Sequence, residues 1–199
     1  MVPESITPLV LFALISTITP GAATIMATAS GAQFGFSRSI PVMAGSAFGL
    51  ASIAAASAAG LAGIMMAAPS LQSALKVAGS AYLLWLAWKV ANGGRPEIAS
   101  RTPDPVGFAG GASLLWLNPK GWAMSLGAAA SFGAGADGPL QLALLLGSIL
   151  GGAAAVSLCL WCLSGMLLAR LLRSETQWRV FNRALGLLLA ASIAQMWRA

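Results

Sequence analysis

Leu114-Leu115-Trp116-Leu117-Asn118-Pro119-Lys120-Gly121-Trp122 puts an amide, a helix breaker, a cation and a glycine inside a run otherwise apolar enough for a lipid bilayer. Folding alone does not favour that combination. A charged side chain at mid-membrane depth costs about 2.5 to 3.5 kcal/mol on insertion scales. A proline inside a helix costs about 3 kcal/mol, because it deletes a backbone hydrogen bond and crowds the preceding turn. A chain that carries both side by side is expected to use them as a site.

The surroundings explain why this depth is membrane depth. The 199 residues are 58% hydrophobic and 8% charged, whereas soluble domains carry about 25% charged residues. No charge falls between Glu4 and Arg38, between Arg38 and Lys76, or between Asp137 and Arg170, and each gap accommodates a helical span of about 20 residues. The start of the chain has Glu4 and no basic residue ahead of its apolar run, so that run is expected to be retained as a span rather than removed as a signal peptide. Histidine is absent and the only cysteines are Cys159 and Cys162, which excludes a disulfide framework and argues against a histidine or thiolate metal centre. No catalytic residue, metal site or cofactor is expected.

The reading is an all-α integral membrane protein with six transmembrane helices, at about Ser5 to Ala29, Ile40 to Met66, Leu71 to Ala91, Phe108 to Phe132, Leu140 to Ala169 and Trp178 to Trp197. The net charge of +6 is then topology rather than a sign of nucleic acid. With six spans, Arg38, Lys89, Arg95, Arg101, Arg170, Arg173, Arg179 and Arg183 fall on one side and Arg198 on the other. Basic connections stay in the cytoplasm, so both termini are expected on the periplasmic side. The basic Arg170 to Arg183 loop also suits anionic lipid, although orientation explains it sufficiently.

The halves repeat, with repeat one at about 1–92, repeat two at about 105–199, and the segment from Gly93 to Asp104 between them. Pro20 and Pro119 stand 99 positions apart, each deep in the first span of its half. Gly45-Ser46-Ala47-Phe48-Gly49 and Gly147-Ser148-Ile149-Leu150-Gly151 open the second spans, and a cation is followed by glycine at Lys76 to Gly79 and Arg183 to Gly186 in the third. Three spans per half make the repeats inverted, and interrupted helices at corresponding positions mark a transporter's substrate site.

Candidate binding residues follow from that frame. Thr17, Gly21, Thr24, Thr28 and Gly31 recur at steps of 4, 3, 4 and 3, which suits either a packing face or a cavity wall on an unbroken helix. The proline beside them frees a carbonyl near Ser16, and irregular backbone at this depth belongs inside protein or along a wet cavity. Tyr82 places a hydroxyl in such a cavity or serves as an interfacial belt residue like Trp85 and Trp88. The glycines of the second and fifth spans read as close helix contacts. Lys120 lies 12 residues from Phe108 and 12 from Phe132, too deep to snorkel, so it faces other helices or water. There it binds a substrate carboxylate, carries a proton, or is held by carbonyls freed at Pro20. Cys159 and Cys162 have the spacing of a redox pair but sit within one span without a neighbouring cation.

At these residues the sequence resembles the LysE/RhtB family of amino-acid exporters. The likeness rests on Thr19-Pro20-Gly21, Ser30 to Gly35, Gly45 to Gly49, Ala81-Tyr82-Leu83-Leu84 with Trp85 to Lys89, Leu114 to Gly121 and Phe132. Asn118-Pro119-Lys120 resembles the second-half signature of that family. The first motif departs from it: Ala22 and Ala23 follow Gly21 where a second proline and an asparagine are usual, and Gln33 stands where such exporters often carry a basic residue. The resemblance implies proton-motive-force-driven efflux from the bacterial cytoplasm across the inner membrane, and assembly as a homo-oligomer. Combined with the residues, it points to a neutral amino acid or similar small zwitterion, with Lys120 at the carboxylate. Thr19, Thr24, Asn118 and the backbone loosened at Pro20, Gly21 and Pro119 take the ammonium. The lack of any carboxylate in the spans argues against a dibasic cargo. The other readings are a membrane thiol oxidoreductase using Cys159 and Cys162, and a metal exporter on the same fold.

Overall fold

A computed structural model of the chain describes residues 6–61, 68–95, 104–133 and 138–198, so that Glu4, Arg101 and Asp137, used above for topology, lie outside the described residues. Among these residues the structure is helical throughout: α1 (Ile6–Ile18), α2 (Ala22–Ala56) continued by a wider π turn (Ser57–Leu61), α3 (Pro69–Ala91), α4 (Phe108–Trp116), α5 (Pro119–Phe132), α6 (Pro139–Leu171) and α7 (Glu175–Arg198). Pro139–Leu171 is long and apolar enough to cross a membrane, and Ala22–Gly60, which folds back at Gly35, is also apolar. Large apolar side chains such as Ile15, Leu144, Leu167 and Leu187 point outward, as they do on a surface meeting lipid rather than water.

The two prolines singled out in the sequence both stand at helix interruptions. Pro20 has no amide hydrogen and disfavours helical backbone at Thr19, so α1 stops at Ile18 and α2 restarts at Ala22. Pro119 is the first residue of α5, after Leu117 and Asn118 leave the helix. The segment read as one span from Ser5 to Ala29 is therefore two helices, and so is Phe108 to Phe132.

The reversal between the first two spans is tighter than the sequence suggests. The sequence places a connection between Ala29 and Ile40, but helix continues up to Gly35 and resumes directly after it. Gly35 has φ 76 and ψ 179, a left-handed conformation open to glycine and costly elsewhere. Across it the chain folds back, since the hydroxyls of Ser30 and Ser39 are 2.8 Å apart, whereas nine residues of straight helix rise about 13 Å. Ser39 also donates to the Gly35 carbonyl. The turn thus needs one glycine and two serines, and α2 consists of two arms, 22–34 and 36–56.

Small residues set the packing, as the sequence indicated. A side chain at Gly45 would overlap Phe108 and one at Gly111 would overlap Val42, so the second arm of α2 lies directly on α4. Gly147 and Gly151 of α6 meet Ala51 and Ala47 of that arm, and Gly165 meets Thr28 of the first arm. Chain direction along α6 is therefore shared with α1 and the first arm, where Thr17 of α1 pairs with Ser157 and Thr28 of the arm with Gly165, and opposed to the second arm. Helices α3 and α7 run oppositely side by side: Trp197 donates to Ser80, Gly186 touches Ala87, and Asn182 donates to the Gly93 carbonyl. Leu50, Ile53, Leu114, Leu146 and Leu150 form the buried centre between α2, α4 and α6.

Candidate functional site

The first interruption is held by the other half of the chain. With α1 ending at a proline, the carbonyls of its last turn lack helical partners. Ser157 donates to the Thr17 carbonyl at 2.8 Å, Trp161 Nε1 to the Ile18 carbonyl at 3.1 Å, and Lys120 Nζ to the Thr19 carbonyl at 2.8 Å. On the far side of the break the Thr24 hydroxyl accepts the Gly21 amide hydrogen at 2.8 Å, which starts α2. Thr19 and Thr17 turn their hydroxyls back to the Ile15 and Ala13 carbonyls, at 2.7 Å each, and the freed backbone is left to partners across the site.

The second interruption closes on itself. The Asn118 side chain accepts the Lys120 amide hydrogen at 3.0 Å, an N-cap that satisfies a donor at the start of α5. Trp122 Nε1 donates to the Trp116 carbonyl at 2.8 Å, and the two rings meet edge to face with centroids 5.3 Å apart. Trp116 Nε1 in turn reaches the Ser52 hydroxyl at 3.0 Å.

Between the interruptions lies a half-open cavity. Thr19, Gly21, Thr24, Asn118 and Lys120 line it, so five of the eight residues proposed from the sequence share one space. Sequence reasoning missed Ser16, Ser46 and Ser157, which add hydroxyls, and Ala154, which with Ala22 and Ala23 keeps the wall short. The alanines that replace a proline and an asparagine in the first motif are thus wall residues of the cavity. Lys120 is half-buried, its stem lies against Gly21, and a Cβ there would sit 3.2 Å from its Nζ. No Asp or Glu occurs between Glu4 and Glu97 or between Asp104 and Asp137, which leaves the ammonium facing carbonyls and hydroxyls.

The remaining sequence candidates go elsewhere. Pro20 and Pro119 shape the breaks without lining the cavity. Tyr82 lies outside it, donating to the Gly110 carbonyl at 2.8 Å with its ring stacked on Trp85. The stripe from Thr17 to Gly31 divides along its length, between Thr24 and Thr28 on the first arm of α2. Thr17, Gly21 and Thr24 reach the cavity, while Thr28 and Gly31 pack on Gly165 and Cys162 of α6. Cys162 is fully buried at that crossing and Cys159 half-buried, both as free thiols. Among the described residues no group of three or more His, Cys, Asp or Glu could hold a metal ion. A second cavity lies between the first arm of α2 and α3, lined by Ser30, Gln33, Lys89 and Asn182 among others. At its edge Gln33 donates to the Gly94 carbonyl at 2.9 Å.

Comparison with known proteins places these features in a family. A family model described as LysE type translocator matches residues 14–194. The cysteine/O-acetylserine efflux protein of Klebsiella pneumoniae subsp. pneumoniae is 30% identical over 195 residues, 96% of this chain and 94% of its own length. That of Escherichia coli is 29% identical over 189 residues, 95% of each chain. That of Salmonella typhimurium is 32% identical over 120 residues, 60% of this chain, and the chain spans 61% of the length of that relative. No solved structure matches the chain.

Proposed function

This chain belongs to the LysE type translocator family, and on that premise we propose that it exports small neutral amino acids, with the cavity between the two helix interruptions as the substrate site. The observation that carries the reading is Lys120 Nζ on the Thr19 carbonyl: one cation and the carbonyls freed from their own helix at the first break, from opposite halves, meet at one cavity. An amino acid offers the complement of both. Lys120 takes the carboxylate, in a charge-assisted bond. The carbonyls at the end of α1, aided by the negative end of that helix, take the ammonium. Hydroxyls of Thr24, Ser46 and Ser157 with the alanine wall favour a short polar side chain, in keeping with relatives named for cysteine and O-acetylserine efflux.

The wider frame of the proposal is six spans in two inverted three-helix repeats, 1–92 and 105–199, in the bacterial cytoplasmic membrane with both termini periplasmic. Three features support it: a break in each half, the alternation of chain direction between packed helices, and basic residues gathered on one side. Export by such a protein draws on the proton motive force, and assembly into a homo-oligomer belongs to the same proposal.

The test is efflux of L-cysteine, O-acetyl-L-serine and L-serine from preloaded proteoliposomes under an imposed proton gradient. The wild-type protein should move at least one of them and Lys120→Ala none, at equal amounts in the membrane. Undiminished efflux by correctly inserted Lys120→Ala would remove the site assignment. Replacing Cys159 and Cys162 by Ser should leave efflux unchanged; its loss would favour thiol chemistry instead.

A further inference from the structure

We propose that the bond from Lys120 Nζ to the Thr19 carbonyl is a latch that opens only to a ligand carrying a free ammonium and a free carboxylate together, which makes the site selective for unblocked α-amino acids. The proposal rests on the exporter reading above and adds the rule by which that site admits its cargo. The two latched groups come from positions 101 residues apart and meet at 2.8 Å, so while the bond stands each occupies the other and neither is open to a ligand.

A ligand with one charge cannot replace that bond evenly. A carboxylate alone draws the ammonium away and leaves the Thr19 carbonyl without its donor. Nothing adjacent substitutes: the Thr19 hydroxyl is committed to Ile15, while Ser157 and Trp161 are committed to Thr17 and Ile18. Water at the half-open site then gives that carbonyl only a neutral hydrogen bond in place of a charge-assisted one. An amine alone competes for the Thr19 carbonyl but sets a second cation beside Lys120, in a region with no Asp or Glu from Asp104 to Asp137 or from Glu4 to Glu97. Like charges at close range raise the cost of binding either. A zwitterion repairs both defects in one step, since its carboxylate receives Lys120 and its ammonium donates to Thr19. One hydrogen bond is exchanged for two, both charge-assisted.

Gly21 belongs to the same device. A Cβ at that position would sit 3.2 Å from Lys120 Nζ and 3.4 Å from its Cδ, so glycine lets the lysine stem lie on the break and bring its ammonium to the carbonyl next door.

The test uses purified full-length protein in proteoliposomes, with L-serine as probe because its side chain is the shortest that carries a hydroxyl. Counterflow of labelled L-serine is challenged with unlabelled L-serine, N-acetyl-L-serine, L-serine methyl ester, or an equimolar mixture of the two blocked forms. Each blocked form should compete at least about tenfold less well than L-serine, and the mixture no better than its better member. Competition by either blocked form at L-serine's own concentration overturns the latch, as does a mixture that equals L-serine. A wild-type protein that moves no free amino acid overturns the exporter reading itself, which separates the two failures. In Lys120→Met, read as ligand-induced shift in melting temperature so that no turnover is needed, the advantage of L-serine over its methyl ester should shrink to within about twofold. Retention of the full advantage in that variant counts against the latch, and the competition series on the wild type stands whether or not the variant inserts.

Discussion

The two interruptions share a proline and a place near the middle of a span, but they are stabilised by opposite means. Around Thr19-Pro20-Gly21 the free carbonyls are met by Ser157, Trp161 and Lys120, all from the second half of the chain. Around Leu117-Asn118-Pro119 the loose ends are met locally, by Asn118 on the Lys120 amide and Trp122 on the Trp116 carbonyl. A break whose bonds come from a distance changes when the distant helix moves or a ligand intervenes. A break capped from within keeps its shape. The comparison therefore assigns one adaptable wall and one rigid wall to the cavity, with Lys120 rooted in the rigid wall and reaching to the adaptable one.

Asn118→Asp tests the rigid wall most severely. Aspartate caps a helix as well as asparagine does, so stability by thermal unfolding should stay within about 0.5 kcal/mol. The new carboxylate, however, stands two residues from Lys120 and answers its ammonium in place of the substrate. Efflux should fall at least about tenfold. If efflux persists while stability is unchanged, Lys120 does not read a carboxylate and the division between the walls loses its function.

Ser157→Ala tests the adaptable wall. Ser157 is buried at 3% exposure, and removing its hydroxyl leaves the Thr17 carbonyl without a donor, a loss of about 1–3 kcal/mol. Because that carbonyl borders the cavity, efflux should drop several-fold beyond what the reduced amount of folded protein explains. A variant that loses stability but transports normally per folded molecule would show that the first break is a packing feature only.

How much of this was legible in the sequence follows from the range of each interaction. The breaks were, because a proline's missing amide acts on its own helix, and so was the close packing at Gly45, Gly147 and Gly151, because small residues at helical spacing state their purpose locally. That the reversal between the first two spans takes a single glycine, Gly35, with helix on both sides was not, since the sequence suggests a longer connection between Ala29 and Ile40. The partners of the first break were not legible either, since Ser157 and Trp161 lie 140 and 143 residues from the carbonyls they meet. The stripe from Thr17 to Gly31 left packing face and cavity wall open, and it serves as both: which residues do which depends on where α6 crosses it. Lys120 stood out by its cost, but its bond to Thr19 needed the fold.

Trp161→Phe separates the three donors of the first break from one another. Trp161 is half-buried at the edge of α6, its bond to the Ile18 carbonyl is the longest of the set at 3.1 Å, and phenylalanine keeps most of the ring. A hydrogen bond in that position contributes about 0.5–1 kcal/mol, so the variant should lose less stability than Ser157→Ala and export within about twofold of the wild type. The contrast matters more than either value. If Trp161→Phe is as damaging to efflux as Ser157→Ala, the carbonyls of Thr17, Ile18 and Thr19 respond as one unit, and the adaptable wall is the whole end of α1. If it is mild, the adaptable part narrows to the two carbonyls that border the cavity, and the latch at Thr19 becomes the part of the break that a substrate must move.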